Sequence, residues 1–285
     1  MSMRPTTLMV CKGLIPPDRQ EALVALLPRD DQVLYQQLPS PMPLKGEHLQ
    51  WDLLDHIHFT WLAPYLRTLT EGEIRSFLAV LNSMQAHGLE KLLGFENHFP
   101  TLPKISRKAL RNMLLAYARQ NKELVPFAFL PENPLNRLLD LSSDHLAKLI
   151  RYLGLHDLSF EMRQIIDTKE LKKIFASVSK KEGEYLNALV LHREPLVFQR
   201  LFLGKWDGSK EQLHKILEER GANRLGHVLY DASESLTWYL THALDMHIGN
   251  MVLKFIEKPT HARAGEILLG QIDKILHFLK QGGES

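Results

Sequence analysis

Apolar residues recur along most of this chain with the period of an α-helix. Leu146, Leu149, Ile150 and Leu153 stand at i, i+3, i+4 and i+7, and Leu171, Ile174, Phe175 and Val178 repeat the spacing. That spacing places the apolar side chains on one helix face. Residues 139–189 therefore read as four short amphipathic helices joined by tight turns. Ser142 is placed to cap the first, and Gly154 to take the left-handed position just past its end. Ser179 and Glu182 have capping-box spacing, in which each side chain satisfies an orphan backbone N–H at a helix start.

The pattern extends in both directions. Thr70 with Glu73 predicts another capping box, opening a helix whose inner face is Ile74, Phe77, Leu78 and Leu81 and which His87-Gly88 stops. Leu110, Met113, Leu114 and Tyr117 form the next stripe, after a loop at 97–106 that holds Pro100 and Pro103. Ser209 with Gln212 predicts a helix to Arg220, ended by Gly221, with a short helix following at 225–230. One longer segment spans 233–257, bent at Gly249-Asn250, with Ile248, Met251, Val252 and Phe255 facing in. Leu268, Ile272, Ile275 and Leu279 mark a last helix over 265–280. The stripes that start at Ile74, Leu110 and Leu146 are evenly spaced, but residue identities barely recur, which argues against a true tandem repeat. Strand-like alternation is confined to a weak candidate at 32–38. The expected fold class is all-α, with stacked short amphipathic helices in two helical subdomains.

The first 46 residues differ from the rest. Prolines stand there at positions 5, 16, 17, 28, 39, 41 and 43. A short helix at 18–27 fits between them, ended by Pro28. The segment from Pro39 to Pro43 must be extended, because each proline biases its predecessor away from the helical region. The stretch reads as an irregular proline-rich arm, 1–46. The prolines of 125–134 suggest the border between a first helical subdomain, 47–133, and a second, 134–285.

Composition narrows the function classes. The chain has 285 residues, 45% of them hydrophobic, as in ordinary globular proteins. Its 35 basic and 33 acidic residues leave a net charge of +2, which makes no case for nucleic acid by itself. A single cysteine, Cys11, excludes an internal disulfide and any multi-cysteine zinc site, and suits a reducing, cytoplasmic location. No apolar run approaches the roughly 20 residues of a membrane span, and Lys12, Gly13 and the Pro16-Pro17 pair interrupt the opening segment before a signal-peptide core could form. Membrane association is expected only indirectly, through partner proteins.

Candidate chemistry is sparse. His56 and His58 alternate as on a strand, whereas Asp52 and His56 have helical spacing, so no single local conformation gathers all three as ligands. His242 and His247, five apart, splay across a helix. The His156-Asp157 dipeptide suggests a metal-dependent phosphohydrolase of the HD type, but follows Gly154 in what reads as a solvated turn. Gly204 to Lys210 lacks the order of a phosphate loop; Ser209 caps a helix there, and Trp206 either plugs the core or anchors a partner. Lys169, Lys172, Lys173, Lys180 and Lys181 cluster, as do Lys104, Arg107, Lys108 and Arg111. Both groups read as solvated helix faces; a basic-patch nucleic-acid binder is the alternative they offer. No catalytic, cofactor-binding or metal-binding residue is assigned.

Two resemblances add to this reading. The run Leu141-Ser142, Leu146, Leu149, Leu153-Gly154, Leu158, Met162-Arg163, Leu171, Ile174-Phe175, Val178-Ser179, Glu182, Tyr185-Leu186 resembles the armadillo-like repeats of the flagellar motor-switch protein FliG, and implies a right-handed helical repeat arrangement in the middle of the chain. That family's charged torque helix and hydrophobic hinge motif have no counterpart here. Separately, His58, Trp61, Leu62 and Pro64, within the stretch from His56 to Pro64, are similar to an element near the start of the SctK (YscK/HrpD-type) accessory proteins of type III secretion sorting platforms. Phe59 and Thr60 replace the proline and serine of that element. Leu217, Gly221, Leu225-Gly226 and Leu229, with Trp238 and Leu253-Lys254 downstream, match that family's closing helical segment. The resemblance implies a non-enzymatic cytoplasmic adaptor, without cofactors. It would link the cytoplasmic domain of an inner-membrane ring to a C-ring-like pod protein. Candidate partner-binding residues are Trp206, His58, Trp61, Lys172 and Lys173.

Overall fold

The computed structural model describes residues 5–39, 52–94, 99–191, 203, 206–259, 261 and 263–281. Among these the fold is all-helical, with no β-strand. The chain divides into two compact units, Met1–Leu139 with Ser233–Met246, and Asp140–Ala232 with His247–Ser285.

The first unit opens with α1 (Pro5–Leu14), α2 (Pro17–Leu26) and α3 (Arg29–Gln37). This corrects the irregular arm and the strand at 32–38. The short helix expected at 18–27 forms as α2, ending just before Pro28, and prolines also begin helices here: Pro17 occupies the first turn of α2, and Pro28 is the residue before α3. At such positions the missing N–H has no intrahelical partner to lose. The three helices are tied into the unit, since Leu8 and Asp31 are fully buried and the Lys12 ammonium donates to the Leu38 carbonyl at 2.5 Å. Pro41 and Pro43 lie outside the described residues.

Short helices α4 (Leu53–His56) and α5 (Ala63–Leu66) flank a 3₁₀ turn at Phe59–Trp61. The Thr70–Glu73 capping box forms and opens α6 (Glu71–Leu78). The helix then breaks, and Asn82 caps a separate α7 (Ser83–Leu93), which passes through His87-Gly88. Gly88 is needed inside α7 because a Cβ there would meet the Phe59 ring at 2.6 Å. Helix α8 (Lys104–Arg119) buries Leu114 and Ala118, while Met113 stays half exposed. Further 3₁₀ turns at Phe127–Phe129 and Pro134–Asp140 lead out of the first stretch.

The second unit is built on two 20-residue helices, α9 (Ser143–Met162) and α12 (Lys210–Leu229). Each runs straight through a glycine expected to end it. A Cβ on Gly154 would lie 2.8 Å from the Leu217 carbonyl carbon, and one on Gly221 would lie 2.5 Å from the Ile150 carbonyl carbon. The two glycines let the helix backbones touch; they serve close packing, and neither has a positive φ. Around this crossing Leu146, Leu149, Ile150, Leu153, Leu213, Leu217 and Leu225 are essentially solvent-free. Each such leucine contributes about 1.5–3 kcal/mol of burial. Helices α10 (Thr168–Ser177), α11 (Lys180–Leu191) and α15 (Ala264–Gln281) belong to the same unit, with Leu268, Ile272, Ile275 and Leu279 inward on α15 as expected.

The long segment expected at 233–257 is two helices, α13 (Glu234–His242) and α14 (Met246–Lys254), broken at Ala243–Asp245 and not at Gly249-Asn250. Of its expected inner face only Val252 is buried.

Candidate functional site

In the first unit, the segment from His56 to Pro64 is held by α13 and the turn after it. The Trp61 indole stacks on the His242 imidazole at 4.0 Å, and Trp238 stacks on the same ring, also at 4.0 Å. Trp61 Nε1 donates to the Leu244 carbonyl at 2.9 Å, the His58 backbone N–H donates to the His242 carbonyl at 2.7 Å, and the Met246 N–H donates to Thr60 Oγ1 at 2.8 Å. His58 Nδ1 caps the 3₁₀ turn and lies 2.8 Å from Thr60 Oγ1. Burial between two indoles lowers the His242 pKa to about 4, and burial also lowers that of His56 to about 4. The Trp61–His242–Trp238 stack therefore holds a neutral imidazole. His58 and Trp61 are half-buried, and both join in fixing this junction. The role of α13 carried no local sequence signal, because its partners lie some 180 residues away in the chain.

Asp52 caps α4 and, with Asp55, pairs with Arg111 at 2.7 and 3.1 Å. Arg111 is thereby taken out of the basic group it forms with Lys104, Arg107 and Lys108. His247 is exposed, whereas His242 is buried in the stack. Among the described residues no group of three His, Cys, Asp or Glu side chains is arranged to hold a metal ion.

In the second unit, His156 and Asp157 do not form a solvated turn. Both are buried at mid-α9 and point to different partners. His156 Nε2 lies 3.0 Å from the Tyr185 hydroxyl of α11. Asp157 Oδ1 pairs with Arg224 Nη2 at 2.5 Å, and Arg224 Nη1 donates to Gln271 Oε1 at 2.7 Å. The Asp157–Arg224–Gln271 network joins α9, α12 and α15 through a guanidinium only 1% exposed. Consecutive helix positions diverge by about 100°, which sends the two members of the dipeptide to separate neighbours.

The second unit also contains a cleft of about 640 Å³ between α9, the start of α11 and the start of α12. Lys148, Arg151, Lys180, Lys181 and Lys210 line it, with Glu182 as its carboxylate. The Ser179–Glu182 capping box fixes the start of α11: Ser179 N–H donates to Glu182 Oε2 at 2.7 Å, and Glu182 N–H to Ser179 Oγ at 3.3 Å. Glu182 is buried and also receives the Arg151 guanidinium, which lies in turn against His214. His214 Nε2 is 2.6 Å from Glu218. Ser209 caps α12 as the sequence indicates, accepting from the Gln212 N–H. Half-buried Trp206 donates Nε1–H to the Ser209 carbonyl at 2.8 Å, so it braces this cap. Gly204 and Lys205 lie outside the described residues.

Of the candidate lysines, Lys172 and Lys173 are exposed on α10 and do not line the cleft; Lys180 and Lys181 do. Lys148, Arg151 and Lys210 were not singled out, since only the crossing of α9 with α12 brings them beside α11. No helix among the described residues is long and apolar enough to cross a membrane. Comparison with protein-family models, with curated proteins and with solved structures finds no match, so the two resemblances rest on the residues that carry them.

Proposed function

We propose that this protein is a non-enzymatic helical adaptor, and that it serves a type III secretion sorting platform by linking the inner-membrane ring to the pod protein. The observation that carries the reading is the cleft of the second unit. It is walled by three helices and lined by five basic side chains. Such a surface holds a partner by charge and shape. The groups elsewhere that suggest chemistry are engaged in packing: His156 with Tyr185, Asp157 with Arg224, and His242 between two indoles. The close backbone contact at Gly154 and Gly221 joins two of the helices that wall the cleft. The SctK-like residues Trp61 and His58 support the reading as well, since they shape the junction with α13.

The test is affinity capture of the tagged full-length protein from cells with an intact secretion system, followed by mass spectrometry. Recovery of the ring component and the pod protein is the expected result. Recovery of neither, from a folded and expressed bait, would contradict the adaptor reading.

A further inference from the structure

We propose that the outward face of α8 is a docking surface for an anionic lipid bilayer, so that the chain meets the membrane directly. The proposal goes beyond the adaptor reading and does not depend on it. Helix α8 packs against α4 and α6, with Leu114 and Ala118 buried. On the opposite face stand Ile105, Ala109, Met113 and Ala116, at i, i+4, i+8 and i+11, all of them exposed. Ile105 is 80% exposed and Met113 49%. The water-facing stripe of a globular-protein helix is normally charged or polar. Here it carries no charge, and Asn112 is the polar side chain within it. Apolar residues gathered on an exposed face mark a contact with a protein or a membrane.

The charges beside the stripe select its occupant. Helix α8 contains five basic residues and no acidic one. Arg111 is set against Asp52 and Asp55, and Arg119 is half-buried, so neither is offered outward. Of the acidic residues on α6, Glu71 pairs with Arg75 at 2.6 Å and Glu73 is committed to the Thr70 cap. Lys104, Arg107 and Lys108 are exposed and form no ion pair among the described residues. Lys104 and Lys108, four positions apart, flank Ile105 and Ala109 along one side of the stripe. With the helix lying in the plane of the interface, lipid phosphates take the two ammoniums while Ile105 and Met113 enter the acyl boundary. A nucleic acid would meet the lysines but leave the apolar stripe in water, and no ring stands on this face for a base to stack on. A specific protein interface carries about one hydrogen bond per 100–200 Å², for which Asn112 alone is a poor supply; a fluid bilayer asks for none.

The experiment is co-sedimentation of the full-length protein with sucrose-loaded vesicles, of phosphatidylcholine alone or of phosphatidylcholine and phosphatidylglycerol in equal parts. Binding to the anionic vesicles should be tighter by about ten-fold or more at low salt. Lys104→Glu/Lys108→Glu should weaken it by about twenty-fold or more, since each lysine near such a surface is worth about five-fold. Ile105→Ser, which changes no charge, should weaken it by about ten-fold through lost burial. Both variants alter exposed side chains, and circular dichroism checks that the fold is intact. Lys172→Glu/Lys173→Glu, the same charge reversal on α10, should change binding by less than about two-fold. No preference for the anionic vesicles, or equal weakening in the two lysine double variants, would overturn the proposal. Wild-type binding by Ile105→Ser would overturn it as well, because the apolar stripe would then play no part. A duplex oligonucleotide or an oligoglutamate that bound through Lys104 and Lys108 while the vesicles did not would assign the face to nucleic acid or to an acidic protein instead.

Discussion

Replacing Gly221 by alanine should destabilise the second unit strongly, although alanine is the better helix former. Gly221 sits inside α12, where the substitution gains up to about 1 kcal/mol of intrinsic propensity. Against that, the new Cβ would stand 2.5 Å from the Ile150 carbonyl carbon, and ordinary contact begins near 3.4 Å. The obstacle is helix backbone, which cannot rotate aside as a side chain would. The two helices must part by roughly 1 Å, which loosens contacts of buried Ile150, Leu153, Leu217 and Leu225 on either side. Overpacking of this kind typically costs 1–3 kcal/mol, and more where backbone must move. The expected net loss is about 2–4 kcal/mol. With a urea m-value of about 1–3 kcal/mol/M, the midpoint falls by roughly 1–2 M. Gly270→Ala on α15 is the matched control, since nothing lies within 4 Å of its Cβ position, and it should raise stability by about 0.5–1 kcal/mol. Gly154→Ala meets the Leu217 backbone at the same crossing, so the double variant should cost less than the sum of the singles, the helices having already parted. Urea titration followed by far-ultraviolet circular dichroism reads all four variants. If Gly221→Ala unfolded at or above the wild-type midpoint, as expected of Gly270→Ala, backbone contact between α9 and α12 would not exist.

Asp157→Asn should cost about 3–5 kcal/mol in the same titration, because it strands the buried Arg224 guanidinium; Asp157→Leu with Arg224→Met should recover most of that loss. Leu149→Ala, at a fully buried position, should cost about 2–5 kcal/mol, and Phe175→Ala less, since that ring is only partly buried. Acid should weaken the first unit over a defined window. His56 and His242 take up protons near pH 6.5 when unfolded but only near pH 4 when folded, so the unfolded state binds more protons between these values. The stability they contribute is complete above pH 6.5 and is lost as pH falls towards 4, by up to about 3 kcal/mol for each residue. His242→Phe keeps a ring between the two indoles and should flatten part of that slope in stability measured from pH 7 to 4.

Helix class and most helix starts were legible in the sequence because they depend on local spacing. The Thr70–Glu73 and Ser179–Glu182 capping boxes, the Ser142 and Ser209 caps, and the inner face of α15 all follow from neighbours within a turn. Helix ends were less legible. Gly154 and Gly221 look like stops when judged locally, but their purpose is set by a backbone some 65 residues away, which no local pattern records. The same holds for His156-Asp157, whose burial depends on Tyr185, Arg224 and Gln271 on other helices. Prolines at helix starts and prolines in extended segments share one composition, so α1 to α3 were read as an arm. Two of the five basic residues of the cleft were visible as Lys180-Lys181; Lys148, Arg151 and Lys210 join it only through the packing of α9 on α12.

The claim at the centre of this account is that the chain bridges two proteins. It is tested most directly by mixing the purified full-length protein with the cytoplasmic domain of the inner-membrane ring and with the pod protein, then analysing the mixture by sedimentation velocity. The expected result is a complex containing all three, with ring domain and pod protein co-sedimenting only when the chain is present. A chain that sediments alone beside both folded components would contradict the account.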